Sequence, residues 1–191
     1  MIVYKQVDTS FFPQYDQVPQ RVNVSSIYQI KKHNRGLGGF TLVETSVEPY
    51  IRDFCVGEDE SVQRWKSWDL TNWAFFMAFD GEKPIGAATV VSRTKEINML
   101  SGRDDLAVLW DIRVDEAYKG QGVGQKLFDM AVEWSRNNGL IQMKIECQNN
   151  NVPAVNFYHK QGAVLSAINE YAYYNEPEYR HEVQFIWYLD L

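Results

Sequence analysis

The stretch Tyr118–Lys126, YKGQGVGQK, spaces three glycines one residue apart between two lysines. Glycine has no Cβ, so such a run lets backbone N–H groups turn toward one concave point. The run also stands where an apolar-periodic segment begins, and a helix N-terminus carries about half a positive charge. A cradle of this kind suits a pyrophosphate or a similar anion, with Lys119 and Lys126 at its rim. Two familiar phosphate loops do not fit. The dinucleotide fingerprint needs a third glycine after two spacers, where Gln125 stands. The P-loop needs four spacers and then Gly-Lys-Ser/Thr, which is absent. On the glycines alone, a plain turn between strand and helix is an equal reading.

Other residues carry chemistry. Asp111 lies inside the apolar run VLWDIRV, where an acid is expensive unless paired. Strand alternation puts Trp110 and Ile112 on one face, and Asp111 and Arg113 on the other. Asp111 is thus either a base or cation anchor, or half of an ion pair with Arg113. Glu146, ending the next apolar run, is the second candidate base. Tyr158 shares a helix face with Asn151 and Ala154. Its phenol, with an ordinary pKa of about 10, is near a thiol in acidity, yet it also reads as a buried tyrosine with a satisfied hydroxyl. Tyr171, Tyr173, Tyr174 and Glu176 in YAYYNEPEY combine aromatic faces with a carboxylate, which suits a cationic guest. With Trp110 and Asp111 they are the candidate acceptor contacts; a polar hairpin loop with packed tyrosines is the alternative. Glu58, Asp59 and Glu60 read as a solvated helix start. His33, His159 and His181 are scattered, and no metal site is expected.

KGQGVG, Lys119 to Gly124, resembles the acetyl-CoA loop of the GNAT family of N-acetyltransferases, Gln/Arg-x-x-Gly-x-Gly/Ala. Gly122 and Gly124 match. Lys119 departs from Gln or Arg, keeping the charge but losing the guanidinium fork. NVPAVNFYHKQGA, Asn151 to Ala163, is similar to the family's second signature, Asn-x-x-Ala-x-x-x-Tyr-x-x-x-Gly-Phe. Asn151, Ala154, Tyr158 and Gly162 match, and Ala163 stands where Phe is usual. The resemblance covers the chain from about Asn72 to Leu191. It implies acetyl-CoA as acetyl donor, held by Lys119, Gly120, Gln121, Gly122, Val123, Gly124 and Gln125, with Asn151 and Ala154 in the second motif. It implies that backbone N–H groups of Ile112, Arg113 and Val114 bind the pantetheine arm and polarise the thioester. It places Tyr158 beside the sulfur as an acid. Within the family, NNNVPAVNFYHKQGA and LWDIRV resemble streptothricin acetyltransferases. The acceptor implied is the β-lysine amine of that antibiotic, with a polyamine, an aminoglycoside or a protein lysine as alternatives. A CoA-binding regulatory domain without catalysis is a rival of another class.

These groups need elements to hold them. Arg21–Ile30 and Phe40–Val47 read as strands, with RGLGG a turn between them and Pro49 after the second. Glu58–Leu70 is helical in character. Two apolar runs flank Asp80–Pro84 as a hairpin. Leu106–Val114 is apolar enough for a central strand. The helix after the glycines buries Val123, Leu127, Met130, Ala131 and Trp134, and Gly139 closes it. Leu140–Cys147 is a strand. Asn151 caps a short helix with Pro153 in its first turn. Two closing strands follow. This order describes one α/β (α+β) domain with a mixed sheet, residues 1–38 forming an N-terminal arm. The resemblance adds that the central sheet is mostly antiparallel, splayed at the cofactor cleft and flanked by helices.

The chain's 191 residues, 45% hydrophobic and 14% aromatic, suit a globular fold with one core. A formal charge of −6 argues against a general nucleic-acid binder and suits a small cationic amine substrate. No apolar run is long enough to span a membrane, and the N-terminus lacks a signal-peptide pattern. Cys55 and Cys147, far apart in the chain, make neither a disulfide framework nor a zinc site. A cytoplasmic location is expected, and a homodimer is left open.

Overall fold

The computed structural model describes residues 1–55 and 61–191. Glu58, Asp59 and Glu60 lie outside the described residues. Nine strands and three α-helices are described: β1 (Ile2–Val7), α1 (Phe12–Tyr15), β2 (Arg21–Lys32), β3 (Phe40–Asp53), β4 (Trp73–Asp80), β5 (Lys83–Val91), β6 (Leu106–Val114), α2 (Val123–Asn137), β7 (Gln142–Gln148), α3 (Val152–Lys160), β8 (Val164–Asn169) and β9 (Gln184–Asp190). Seven strands form an open sheet in the order β1-β4-β5-β6-β7-β9-β8, and β2 pairs with β3 separately. The pairs β1/β4, β4/β5, β5/β6 and β8/β9 are antiparallel, whereas β6/β7 is parallel. The expected mixed, mostly antiparallel sheet is present. By contacts the chain divides into two compact units.

The first unit comprises Met1–Arg21, Asp53–Ile145 and Leu189–Leu191. Strands β4 and β5 are buried along nearly their whole length, as near-continuous apolar runs require. They turn at Gly81, φ +59°, as the hairpin signal implied. Ile2–Val7, from the segment read as an arm, adds an edge strand on β4. Helix α2 packs on β4, β5 and β6. Its buried face is Val123, Leu127, Phe128, Ala131, Val132 and Ser135. Met130 and Trp134, expected on that face, are half-buried instead. Gly86 of β5 lets Val123 and Leu127 approach the strand closely: a Cβ there would lie 2.9 Å from both Val123 Cγ1 and Leu127 Cδ1. The helix is seated on that glycine, and its buried face runs from there round to Phe128, Val132 and Ser135.

The expected helix over Glu58–Leu70 is, among the described residues, a short 3-10 segment, Val62–Ser67. Tertiary contacts override its helical pattern. The Asp16 carboxylate accepts from the Val62 N–H (2.9 Å) and the Ser61 hydroxyl (2.7 Å), pinning the start. Trp65 is then driven inward against Phe12, Tyr15, Trp73 and Phe75.

The second unit comprises Val22–Arg52 and Glu146–Tyr188. Its β2/β3 pair turns through Asn34, Arg35, Gly36 and Gly39, all at positive φ, as RGLGG predicted. Strand β3 runs on past Val47 and through Pro49 to Asp53. A strand of a two-stranded sheet has an unpaired edge, which tolerates the missing proline N–H. Helix α3 begins where Asn151 accepts the Ala154 N–H at 3.2 Å, with Pro153 in the first turn.

Candidate active site

In the first unit, β6 delivers the chain to the glycine loop. Asp115 follows the strand, donates its N–H to Ile85 O (2.8 Å), and accepts from the Ala117 N–H (3.0 Å). An ion pair with Lys83 (2.7 Å) holds the Asp115 carboxyl below the usual carboxylate range. Gly120 and Gly122 take φ of +75° and +84°, and an added Cβ at either would meet nothing within 4 Å. Gly122 is the N-cap of α2 and supplies no side-chain cap. The first-turn N–H groups of α2 have no intrahelical acceptor by construction. Gly124 differs: its φ is ordinary, and its Cβ would sit 3.5 Å from Val114 Cγ2. Two of the three glycines thus answer a backbone demand.

The polar side chains of the loop bond back onto the fold. Lys119 Nζ donates to Arg21 O (2.7 Å) and to Glu116 (2.6 Å). Gln121 donates to Ala117 O (2.8 Å), and Gln125 to Asp129 (2.8 Å). What the loop offers an anion is therefore main-chain N–H groups, the chemistry that suits a pyrophosphate. Lys119 ties the loop down rather than standing as a free charge at its rim.

Strand β6 changes character halfway. Its pairing with β7 covers Leu106–Leu109 against Gln142–Ile145. Its pairing with β5 shifts at the same point: Leu109 faces Val90, Asp111 faces Thr89, and Trp110 is the extra residue of a bulge. Trp110 is wedged against Trp68 and Trp73, ring centroids 5.7 and 5.8 Å away.

Beyond the bulge, Asp111 and Arg113 point to one buried face, 7% and 6% exposed. Of the two readings of Asp111, the structure builds the ion pair, with Arg113 Nε 2.8 Å from Asp111 Oδ2. The carboxylate also accepts from the Tyr15 hydroxyl (2.7 Å) and Gln20 Nε2 (3.0 Å). Three donors occupy it, so a free base here is not supported. Arg113 further donates to Val18 O (3.4 Å) and Cys55 Sγ (3.3 Å). Burial opposes the guanidinium charge, but Asp111 and Tyr15 outweigh it and raise the pKa of Arg113. Tyr15 is fully buried, and burial first, then Asp111, pushes its phenol well up. Tyr15, Gln20 and Thr89 carried no signal in local pattern; only the cost of an acid among apolar residues said that partners must exist.

In the second unit, Tyr158 lies on α3, 4% exposed, its ring edge-on to Phe157 at 5.5 Å. Glu146 accepts from the Tyr173 hydroxyl (2.7 Å), which also receives Gln148 Nε2 (2.9 Å). Burial, then Glu146, raises the Tyr173 phenol above its ordinary value. The structure brings these two predicted residues together. Tyr171 and Tyr174 are 72% and 63% exposed, and Glu176 is exposed in the same turns. The reading missed Glu182, 2% exposed, which accepts from Arg52 (2.7 Å) and Asn150 (3.0 Å). The available signal was a carboxylate directly before the apolar run of β9.

Among the described residues, no group of three or more His, Cys, Asp or Glu is placed to hold a metal ion. No helix among them is long and apolar enough to cross a membrane.

Residues 25–163 match the model of the acetyltransferase (GNAT) family. The chain is 31% identical over 150 residues to a streptothricin acetyltransferase of Escherichia coli, covering 78% of this chain and 76% of that one. It is 32% identical over 92 residues to streptothricin acetyltransferase A of Bacillus subtilis (strain 168), covering 48% of this chain and 53% of that one. Among solved structures, a protein assigned as a streptothricin acetyltransferase from Bacillus anthracis str. Ames, in complex with acetyl coenzyme A, superposes with TM-score 0.77 at 20% identity. That similarity covers 100% of this chain and 98% of the other. A nourseothricin acetyltransferase superposes with TM-score 0.78 at 20% identity, covering 99% and 98% of the two chains.

Proposed function

The chain belongs to the acetyltransferase (GNAT) family and is an acetyl-CoA-dependent acetyltransferase; from that premise we propose that it acetylates the β-lysine amine of streptothricin-type antibiotics. The observation carrying this reading is the identity to a streptothricin acetyltransferase sustained over most of both chains. The net charge of −6 supports a cationic acceptor.

The residues present fit the acetyl donor. The open left-handed positions at Gly120 and Gly122, with the uncapped start of α2, would hold its pyrophosphate. Backbone N–H groups of Ile112 and Val114, which alternate with the Arg113 N–H directed at β5, would bind the arm and polarise the carbonyl. Bound acetyl-CoA supplies an activated acetyl group on a thiol leaving group. Tyr158 holds the proton that balances charge on the departing sulfur. The acceptor amine, cationic at neutral pH, must lose a proton before it attacks. Glu146 accepts from the Tyr173 hydroxyl, and a carboxylate has room for further donors. It is the base or cation anchor we propose, with water relaying the proton as the alternative. Acetylation removes a positive charge from the antibiotic and so weakens its grip on an anionic target. We place the activity in the cytoplasm, in keeping with two free thiols.

Expression in a streptothricin-sensitive bacterium tests the acceptor. Growth should resume under streptothricin and stay inhibited by an aminoglycoside. Unchanged inhibition by streptothricin in cells that make the folded protein would end this reading.

A further inference from the structure

The bulge at Trp110 and the end of the β6/β7 pairing fall at one point, between Leu109 and Asp111. From there to Val114, among the described residues, β6 is laddered to β5 and no longer to β7. A strand released from one neighbour should be the less constrained half of its element. Yet it is here that the first unit concentrates its buried polar contacts. Tyr15 has one hydroxyl proton, and it goes to Asp111 Oδ2 at 2.7 Å. The 2.8 Å contact between Tyr15 and Thr89 therefore runs from the threonine hydroxyl to the tyrosine oxygen. Thr89 is also the cross-strand partner of Asp111 next to the bulge. Gln20 fills the other carboxylate oxygen, and Arg113 closes the ion pair while its guanidinium lies 5.1 Å from the Tyr15 ring centre.

We propose that Tyr15, Thr89 and Gln20 are positioning residues: with the Asp111–Arg113 pair they form a buried lock that fixes the bulge and holds the free edge of Trp110–Val114 in register to receive the acetyl-CoA arm. An apolar cluster would fill the same volume without specifying direction. A carboxylate with three directed donors fixes the strand's rotation and offset, because any slip leaves a buried charge unpaired. Tyr15 and Gln20 come from the N-terminal segment, so through them that segment acts on the donor arm by way of β6. The proposal rests on the reading that the β6 edge binds the donor arm.

The test is hydrogen exchange of the Trp110–Val114 segment, with and without acetyl-CoA, together with acetyl-CoA affinity by calorimetry well below the melting temperature. Wild type, Tyr15→Phe and Gln20→Leu are compared. Acetyl-CoA should slow exchange of the segment in wild type. In Tyr15→Phe the free segment should exchange faster and acetyl-CoA affinity should fall about tenfold, since small misplacements of binding groups are costly. Gln20→Leu, at a less buried position, should move both readings the same way by less, and it decides the matter if Tyr15→Phe does not fold. Unchanged acetyl-CoA affinity in a folded variant, with only a lower melting temperature, would overturn the positioning role. Absence of acetyl-CoA protection in wild type would instead overturn the reading of the β6 edge, and this proposal with it.

Discussion

Gly122 combines a left-handed backbone, φ +84°, with open space where a side chain would project. A valine there meets two penalties. A β-branched residue at positive φ is strained by about 1–3 kcal/mol, and its methyls enter the volume that the pyrophosphate would take. Gly122→Val should therefore weaken acetyl-CoA binding by at least about tenfold, read by calorimetry; an unchanged affinity would show that the loop is only a turn. Tyr158→Phe removes one oxygen from a residue that stays buried. Single-turnover kinetics should show chemistry slowed by about a hundredfold, the lower end for a lost general acid, with acetyl-CoA affinity kept. Equal rates would remove Tyr158 from the reaction. At this scale the glycines, the Asn151 cap and Pro153 were legible because each acts on its own few residues. The partners of Asp111 were not: Tyr15 is 96 positions away and Gln20 is 91.

The seating of α2 on β5 is an element-scale property and depends on Gly86. The Cβ of an alanine would approach Val123 Cγ1 and Leu127 Cδ1 to 2.9 Å, closer than packed carbons tolerate. Gly86→Ala should push the helix outward and cost about 1–3 kcal/mol, the usual range for overpacking, measured by chemical denaturation. A neutral effect would mean that α2 slides freely over the strand. Apolar periodicity located α2, which packs on one side, and continuous apolar runs located β4, β5 and β6, which are buried on both faces. It misjudged the edge of the buried face, which runs round to Phe128, Val132 and Ser135 on the side away from Met130 and Trp134. It also overextended Val62–Ser67 toward an α-helix, because the Asp16 carboxylate that pins the segment is remote in sequence.

For the whole molecule, a buried thiol ties stability to pH. Burial pushes the Cys147 thiol up to about 12, whereas in the unfolded chain a thiol ionises near pH 8.5. Between those values the unfolded state gives up a proton that the folded state keeps. The contribution is fully present below about pH 8.5 and is lost as pH rises toward 12, at about 1.4 kcal/mol per pH unit. Cys147→Ala lacks this dependence, so denaturation curves from pH 8 to 11 should fall more steeply for wild type; parallel curves would contradict the buried neutral thiol. The sign of the net charge and the order of elements were readable in composition and pattern. The Glu182 cluster with Arg52 and Asn150 was not, because only the fold gathers residues so far apart in the chain. The most direct test of the central claim is acceptor-dependent release of CoA thiol by the purified protein, with streptothricin compared against an aminoglycoside and a polyamine. The account predicts fast release with streptothricin, one acetyl group gained on its β-lysine amine, and little release with the others. No streptothricin-dependent release from folded protein that binds acetyl-CoA would contradict it.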